Sequence, residues 1–167
     1  MNLTQLAEME DEVLAEIKQL PWDVRYELDP RYEPQFRKYC GIHTEYAFLA
    51  DKDIEALKRG LFIQWFAYAE PSALSGISVL DPESMRAVAV ALDARLEADD
   101  IDEELRWMFS HYVGVADFAF DQFKDLKYLN NFILSYSKTN YPVSIDRVSM
   151  RTRGGMGRYW SSMANFS

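Results

Sequence analysis

Residues 53–69 constrain the fold more than any other stretch of this chain. Glu55, Lys58 and Arg59 give the first two turns a polar side, whereas Leu61-Phe62-Ile63-Gln64-Trp65-Phe66-Ala67-Tyr68-Ala69 is apolar on nearly every side. A helix that begins amphipathic and becomes apolar all round needs neighbours on every flank, so this segment reads as the central rod of a helical bundle. Gly60 stands where the character changes and leaves room for another helix to approach closely. Asp51 or Asp53 supplies a cap for its start, and Glu70-Pro71 ends it.

The flanking sequence supplies those neighbours. Leu3, Leu6, Met9, Val13, Leu14, Ile17 and Leu20 recur at three- and four-residue steps with acids between them, an amphipathic helix stopped by Pro21. Residues 21–50 are broken by Pro21, Pro30 and Pro34 and crowded with Trp22, Tyr26, Tyr32, Phe36, Tyr39, Tyr46 and Phe48. That pattern predicts short helical turns laid over the core. Asp81-Pro82-Glu83 combines a capping acid with a proline in the first turn and opens a helix with Met85, Val88, Ala89, Leu92 and Leu96 on its inner stripe. Asp102-Glu103-Glu104 opens another through about Phe123, and Leu126, Leu129, Phe132, Ile133 and Tyr136 mark one more. Val143, Ile145 and Val148 read as one short extended segment. Short linkers favour antiparallel neighbours. The expected fold is a single all-α domain of five to seven helices, a bundle or stacked hairpins, with 53–69 near the centre and 102–123 beside it.

Charge divides the chain unevenly. The last 31 residues hold Lys138, Arg147, Arg151, Arg153 and Arg158 against Asp146, leaving 13 basic and 26 acidic residues in the first 136. An acidic helical body (1–136) is therefore followed by a basic C-terminal segment (137–167). Val143, Ile145, Val148, Tyr159, Trp160 and Phe166 make that segment as apolar and aromatic as it is basic. It is expected to dock on the same domain, its arginines pairing with carboxylates of the body.

The composition narrows the function classes. With 49% hydrophobic residues and a net charge of −9, the chain is apolar enough to fold yet repels polyanions over most of its length. Nucleic acid and membrane are thus unfavoured partners, and a cytoplasmic location is expected. The N-terminus is acidic and does not read as a signal peptide. The apolar stretch Gly60–Ala69 has about half the length of a membrane span. A single cysteine, Cys40, excludes an internal disulfide and a Cys-based metal site.

Candidate sites are few. On the 102–123 helix, Leu105, Phe109, Tyr112, Val113, Ala116, Phe120 and Phe123 share one broad face, while Trp107, His111 and Phe118 fall on the other. The second group is either core in a sandwiched helix or an aromatic patch for a protein partner, a second subunit or a ligand; the basic tail, with Tyr159, Trp160 and Phe166, is a further candidate to cover it. Glu70 ends an otherwise apolar helix that also carries Gln64. Were Glu70 buried, it would need hydrogen-bond partners, a situation enriched at active sites. Arg153-Gly154-Gly155-Met156-Gly157-Arg158 lacks the strand and lysine of a phosphate loop and reads as a flexible turn. Arg147, Arg151, Arg153 and Arg158 form the only candidate anion contact. No catalytic set, cofactor motif or metal-ligand spacing is present, His43 and His111 being the only histidines. The expectation is a non-enzymatic protein that binds another protein, or a second copy of itself, through an acidic surface or the aromatic patch. The alternatives are a helical enzyme or small-ligand binder with a pocket near Glu70, Gln64 and His111, and nucleic-acid contact through the tail.

Overall fold

The computed structural model describes residues 1–21, 30–136, 141, 142 and 144–163. The readings that fell on Trp22, Tyr26, Lys138, Val143 and Phe166 lie outside those residues. The fold is all-α, with nine α-helices and no strand among the described residues.

Helix α1 (Leu3–Lys18) starts on a capping box in which Asn2 accepts from the Gln5 backbone and Gln5 from that of Asn2. Helix α2 spans Glu33–Leu49 and follows a 3-10 turn at Pro30–Tyr32. The short turns predicted for 21–50 are therefore replaced, from residue 33 on, by one long helix. Pro34 lies in its first turn, where no amide hydrogen is needed, so the proline begins the helix instead of interrupting it. Tyr39, Ile42, His43 and Tyr46 then form its buried stripe.

Helix α3 (Ile54–Ala69), capped by Asp53, is the central rod. Every residue from Ala56 to Trp65 is buried, including Lys58, Arg59 and Gln64. It packs against α2, helix α5 (Pro82–Glu97), helix α6 (Glu103–Ala116) and helix α9 (Gly154–Met163). At Gly60 a Cβ would meet Val88 Cγ2 at 3.1 Å and Tyr46 Cβ at 3.6 Å, so the missing side chain is what lets α2 and α5 close on α3.

A single turn, α4 (Ser72–Ser75), ends at Gly76, whose φ of 78° reverses the chain over α1. Asp81 caps α5, and Asp102 caps α6. The helix expected to reach Phe123 stops at Ala116 and tightens into a 3-10 helix over Asp117–Phe123. With three residues per turn, Phe120 and Phe123 stack on the same side and both are buried. Helix α7 (Lys127–Leu134) packs on α5, its Leu129 amide donating to Asp93 at 2.8 Å.

The C-terminal segment is helical where it is described. Helix α8 (Arg147–Met150), capped by Asp146, takes in Val148, which had been read as extended. Helix α9 begins inside the glycine run that had been read as a flexible turn, and it docks on α1, α3 and α8.

Candidate functional site

The glycine run explains itself at the α9 N-terminus. Glu10 lies on the inner stripe of α1 between Leu6 and Val13 and is 1% exposed. Its carboxylate accepts from the Tyr39 hydroxyl at 2.6 Å, the Tyr46 hydroxyl at 2.8 Å and the Gly155 amide at 2.8 Å. A Cβ on Gly155 would lie 2.8 Å from a Glu10 oxygen and 3.0 Å from the Tyr39 hydroxyl, and Gly154 adopts φ 59° against the same carboxylate. The helix start thus receives an anion, as helix starts do, and the anion belongs to the protein itself. Burial and the adjoining Glu10 charge push the Tyr39 phenol well above its ordinary range.

A chain of polar contacts runs on from there. Tyr46 accepts from Arg59 at 3.5 Å, and Arg59 donates to Glu55 at 2.8 Å and to the Leu3 carbonyl at 2.8 Å. Glu55 and Glu104 both receive Arg153, with bonds of 2.5 and 2.7 Å to Glu55 and 2.5 and 3.0 Å to Glu104. Lys58 then joins Glu104 at 2.8 Å to Asp102 at 2.6 Å. Burial alone would raise the Glu104 carboxyl, but the bonds from Arg153 and Lys58 outweigh it and hold the group at about 2. Burial opposes the Arg153 charge, and its two carboxylate partners more than restore it.

Of the arginines read as an anion contact, Arg153 is engaged in this network and Arg158 in an ion pair with Asp11. Arg147 and Arg151 lie exposed on and just after α8.

Trp107, His111 and Phe118 are not brought together as one exposed patch. The Trp107 ring meets Trp160 edge-on at 4.6 Å and is half-buried. His111 is buried under α9 with Nδ1 2.6 Å from the Tyr141 hydroxyl and Nε2 2.6 Å from the Tyr159 hydroxyl. Burial pushes its imidazole down to about 4. A neutral ring has one donor and one acceptor nitrogen, so one tyrosine donates to it and the other accepts from it. Phe118 stands apart, 54% exposed, edge-on to Tyr68 at 6.1 Å. Tyr68 and Val115 are also exposed, and Asp117 and Asp121 flank Phe118 along the same 3-10 segment.

Nor does one cleft gather Glu70, Gln64 and His111. Gln64 is fully buried, donating to the Met85 carbonyl at 2.9 Å with its amide nitrogen 3.2 Å from His43 Nε2. Desolvation brings His43 down to about 4, so it is neutral with its proton on Nδ1. Glu70 instead lines an open cleft of about 420 Å³ with Lys18, Phe66, Leu74, Arg158 and Tyr159. No group of three or more His, Cys, Asp or Glu side chains suited to a metal occurs among the described residues. No described helix is long and apolar enough to cross a membrane.

Sequence reasoning missed Glu10, Tyr39, Tyr46, Glu55 and Glu104 as a connected set. One signal was present: Leu6, Glu10, Val13 and Ile17 are spaced four, three and four apart, so Glu10 occupies a core position of the α1 stripe. No protein-family model matches the chain, no curated protein matches it in sequence, and no solved structure matches its fold.

Proposed function

We propose that this chain is a non-enzymatic, cytoplasmic binding protein whose partner is a basic protein surface. The observation that carries the reading is the Tyr68–Phe118 pair, left exposed with Val115 in front of Asp117 and Asp121. Aromatic side chains are enriched at interface cores, tyrosine among the few residues that dominate binding energy, and a negative rim selects positive partners and speeds their approach. The engagement of Arg153 and Arg158 with carboxylates of the body weakens the case for nucleic acid. Among the buried titratable groups, His43, His111 and Glu10 are each held by structural partners, which favours binding over catalysis.

The test is capture from a cell extract followed by reconstitution with the purified captured protein. Phe118→Ala and Tyr68→Ala should each weaken that complex by about 2 kcal/mol, roughly thirtyfold. Added salt should weaken it further, and Asp117→Lys with Asp121→Lys should abolish the salt effect. A complex indifferent to all four changes sinks the proposal. Concentration-dependent self-association lost on Phe118→Ala would identify the partner as a second copy.

A further inference from the structure

The cleft between α1, α3, α4 and α9 is separate from the Tyr68–Phe118 surface, and its lining has a definite chemistry. Leu14, Phe66, Leu74 and the ring of Tyr159 give it apolar walls, while Lys18 brings positive charge and Glu70 negative charge; Arg158, also in the lining, is already paired with Asp11. We propose that it binds a small zwitterion with an apolar body, the chemistry of a free aromatic or branched amino acid.

Its volume of about 420 Å³ lies within the range of small-molecule sites. Neither Lys18 nor Glu70 makes an ion pair among the described residues, although both line the cleft. A molecule carrying one carboxylate and one ammonium group supplies a counter-charge to each, and Phe66 and Leu74 offer its hydrocarbon an apolar wall. A simple anion would leave Glu70 without a counter-charge, and a simple cation would leave Lys18 without one. The wall is pre-organised from behind. Tyr159 is fixed by the 2.6 Å bond between its hydroxyl and His111, and Gly155 is fixed by Glu10. Burial, together with the neighbouring Tyr141 and Glu70, pushes the Tyr159 phenol up to about 12, so it presents a neutral hydroxyl over the physiological range.

The experiment titrates the full-length chain with L-phenylalanine, phenylacetate and phenethylamine, following backbone amide shifts at Leu14, Leu74 and Ser162. L-Phenylalanine should give saturable shifts at these positions, and each half-molecule should bind roughly fivefold more weakly or worse. Glu70→Gln should weaken L-phenylalanine and phenethylamine but spare phenylacetate, and Lys18→Met should do the reverse for the two half-molecules. Phe118→Ala should change none of these, which separates this site from the protein-binding surface. Absence of saturable shifts up to the solubility of L-phenylalanine and L-leucine overturns the proposal. So does phenylacetate or phenethylamine binding as well as the zwitterion, or an equal response of all three ligands to both variants.

Discussion

His43 and His111 are each neutral for the same reason: each ring lies where a charge would lose its water without gaining a carboxylate in contact. His43 touches the Gln64 amide, and His111 touches two phenols. Both are pushed down to about 4 from an ordinary value of 6.5. The unfolded chain therefore binds more protons than the folded one between those values. Stability is unaffected by these residues above pH 6.5 and falls as the pH drops from there through about 4. For His43, fully buried, the loss is on the order of 3 kcal/mol. Glu104 adds a later loss, since its advantage over an ordinary carboxyl disappears as the pH falls from 4.5 through about 2. Urea midpoints measured near neutrality and again at about pH 5 should show the histidine effect. His43→Gln should flatten the pH slope even if it lowers stability at neutrality; an unchanged slope would contradict the assignment.

Among the elements, the legibility of the sequence followed the range of the forces involved. The starts of α3, α5 and α6 depend on a side chain bonding amides two or three residues on, as Asp53, Asp81 and Asp102 do, so the signal is local and readable. Helix α2 was obscured because Pro34 is a breaker in mid-helix and a starter in the first turn, and only the position of the start distinguishes the two. Helix α9 was hidden for a different reason. Gly154, Gly155 and Gly157 are poor helix formers, and what makes them helical is contact with Glu10 and Tyr39 from far along the chain, together with the nearby Met150 backbone. The aromatic side of α6 was legible, and the tail was one of the candidates to cover it; what the spacing could not give is that Tyr159 and Trp160 reach two of its three rings and leave Phe118 out. That view of α9 as anchored at its start gives a prediction. Arg153→Met removes the one cation shared by Glu55 and Glu104 and should destabilise the protein by about 3–5 kcal/mol. Arg153→Lys should recover little, because an ammonium cannot hold two carboxylates in bidentate fashion. Full recovery by lysine, read from urea midpoints, would show that charge alone and not the planar fork anchors the helix.

At the scale of the whole molecule, the question is whether the basic segment is held by the general field of an acidic body or by particular contacts. The two answers respond oppositely to salt. A long-range attraction between a body of 26 acidic and 13 basic residues and a tail of net positive charge would be screened once the Debye length shrinks to about 8 Å. Contacts such as Arg153 with Glu55 and Glu104, largely removed from solvent, are screened far less. What salt does relieve is the self-repulsion of a chain at −9. Since α9 is fastened through buried bonds, from Gly155 to Glu10 and from Trp160 to Tyr112, moderate salt should leave the docked tail in place. The urea midpoint should then rise slightly between about 20 mM and 200 mM sodium chloride, by no more than about 1 kcal/mol in stability. The near-ultraviolet signal of Trp107 and Trp160, stacked edge to face at 4.6 Å, should stay constant over the same range. A midpoint that falls with salt, or a tryptophan signal lost before the helices unfold, would mean that the tail is held by the field after all. The acidic surface would then be occupied by the chain's own tail and not open to a basic partner.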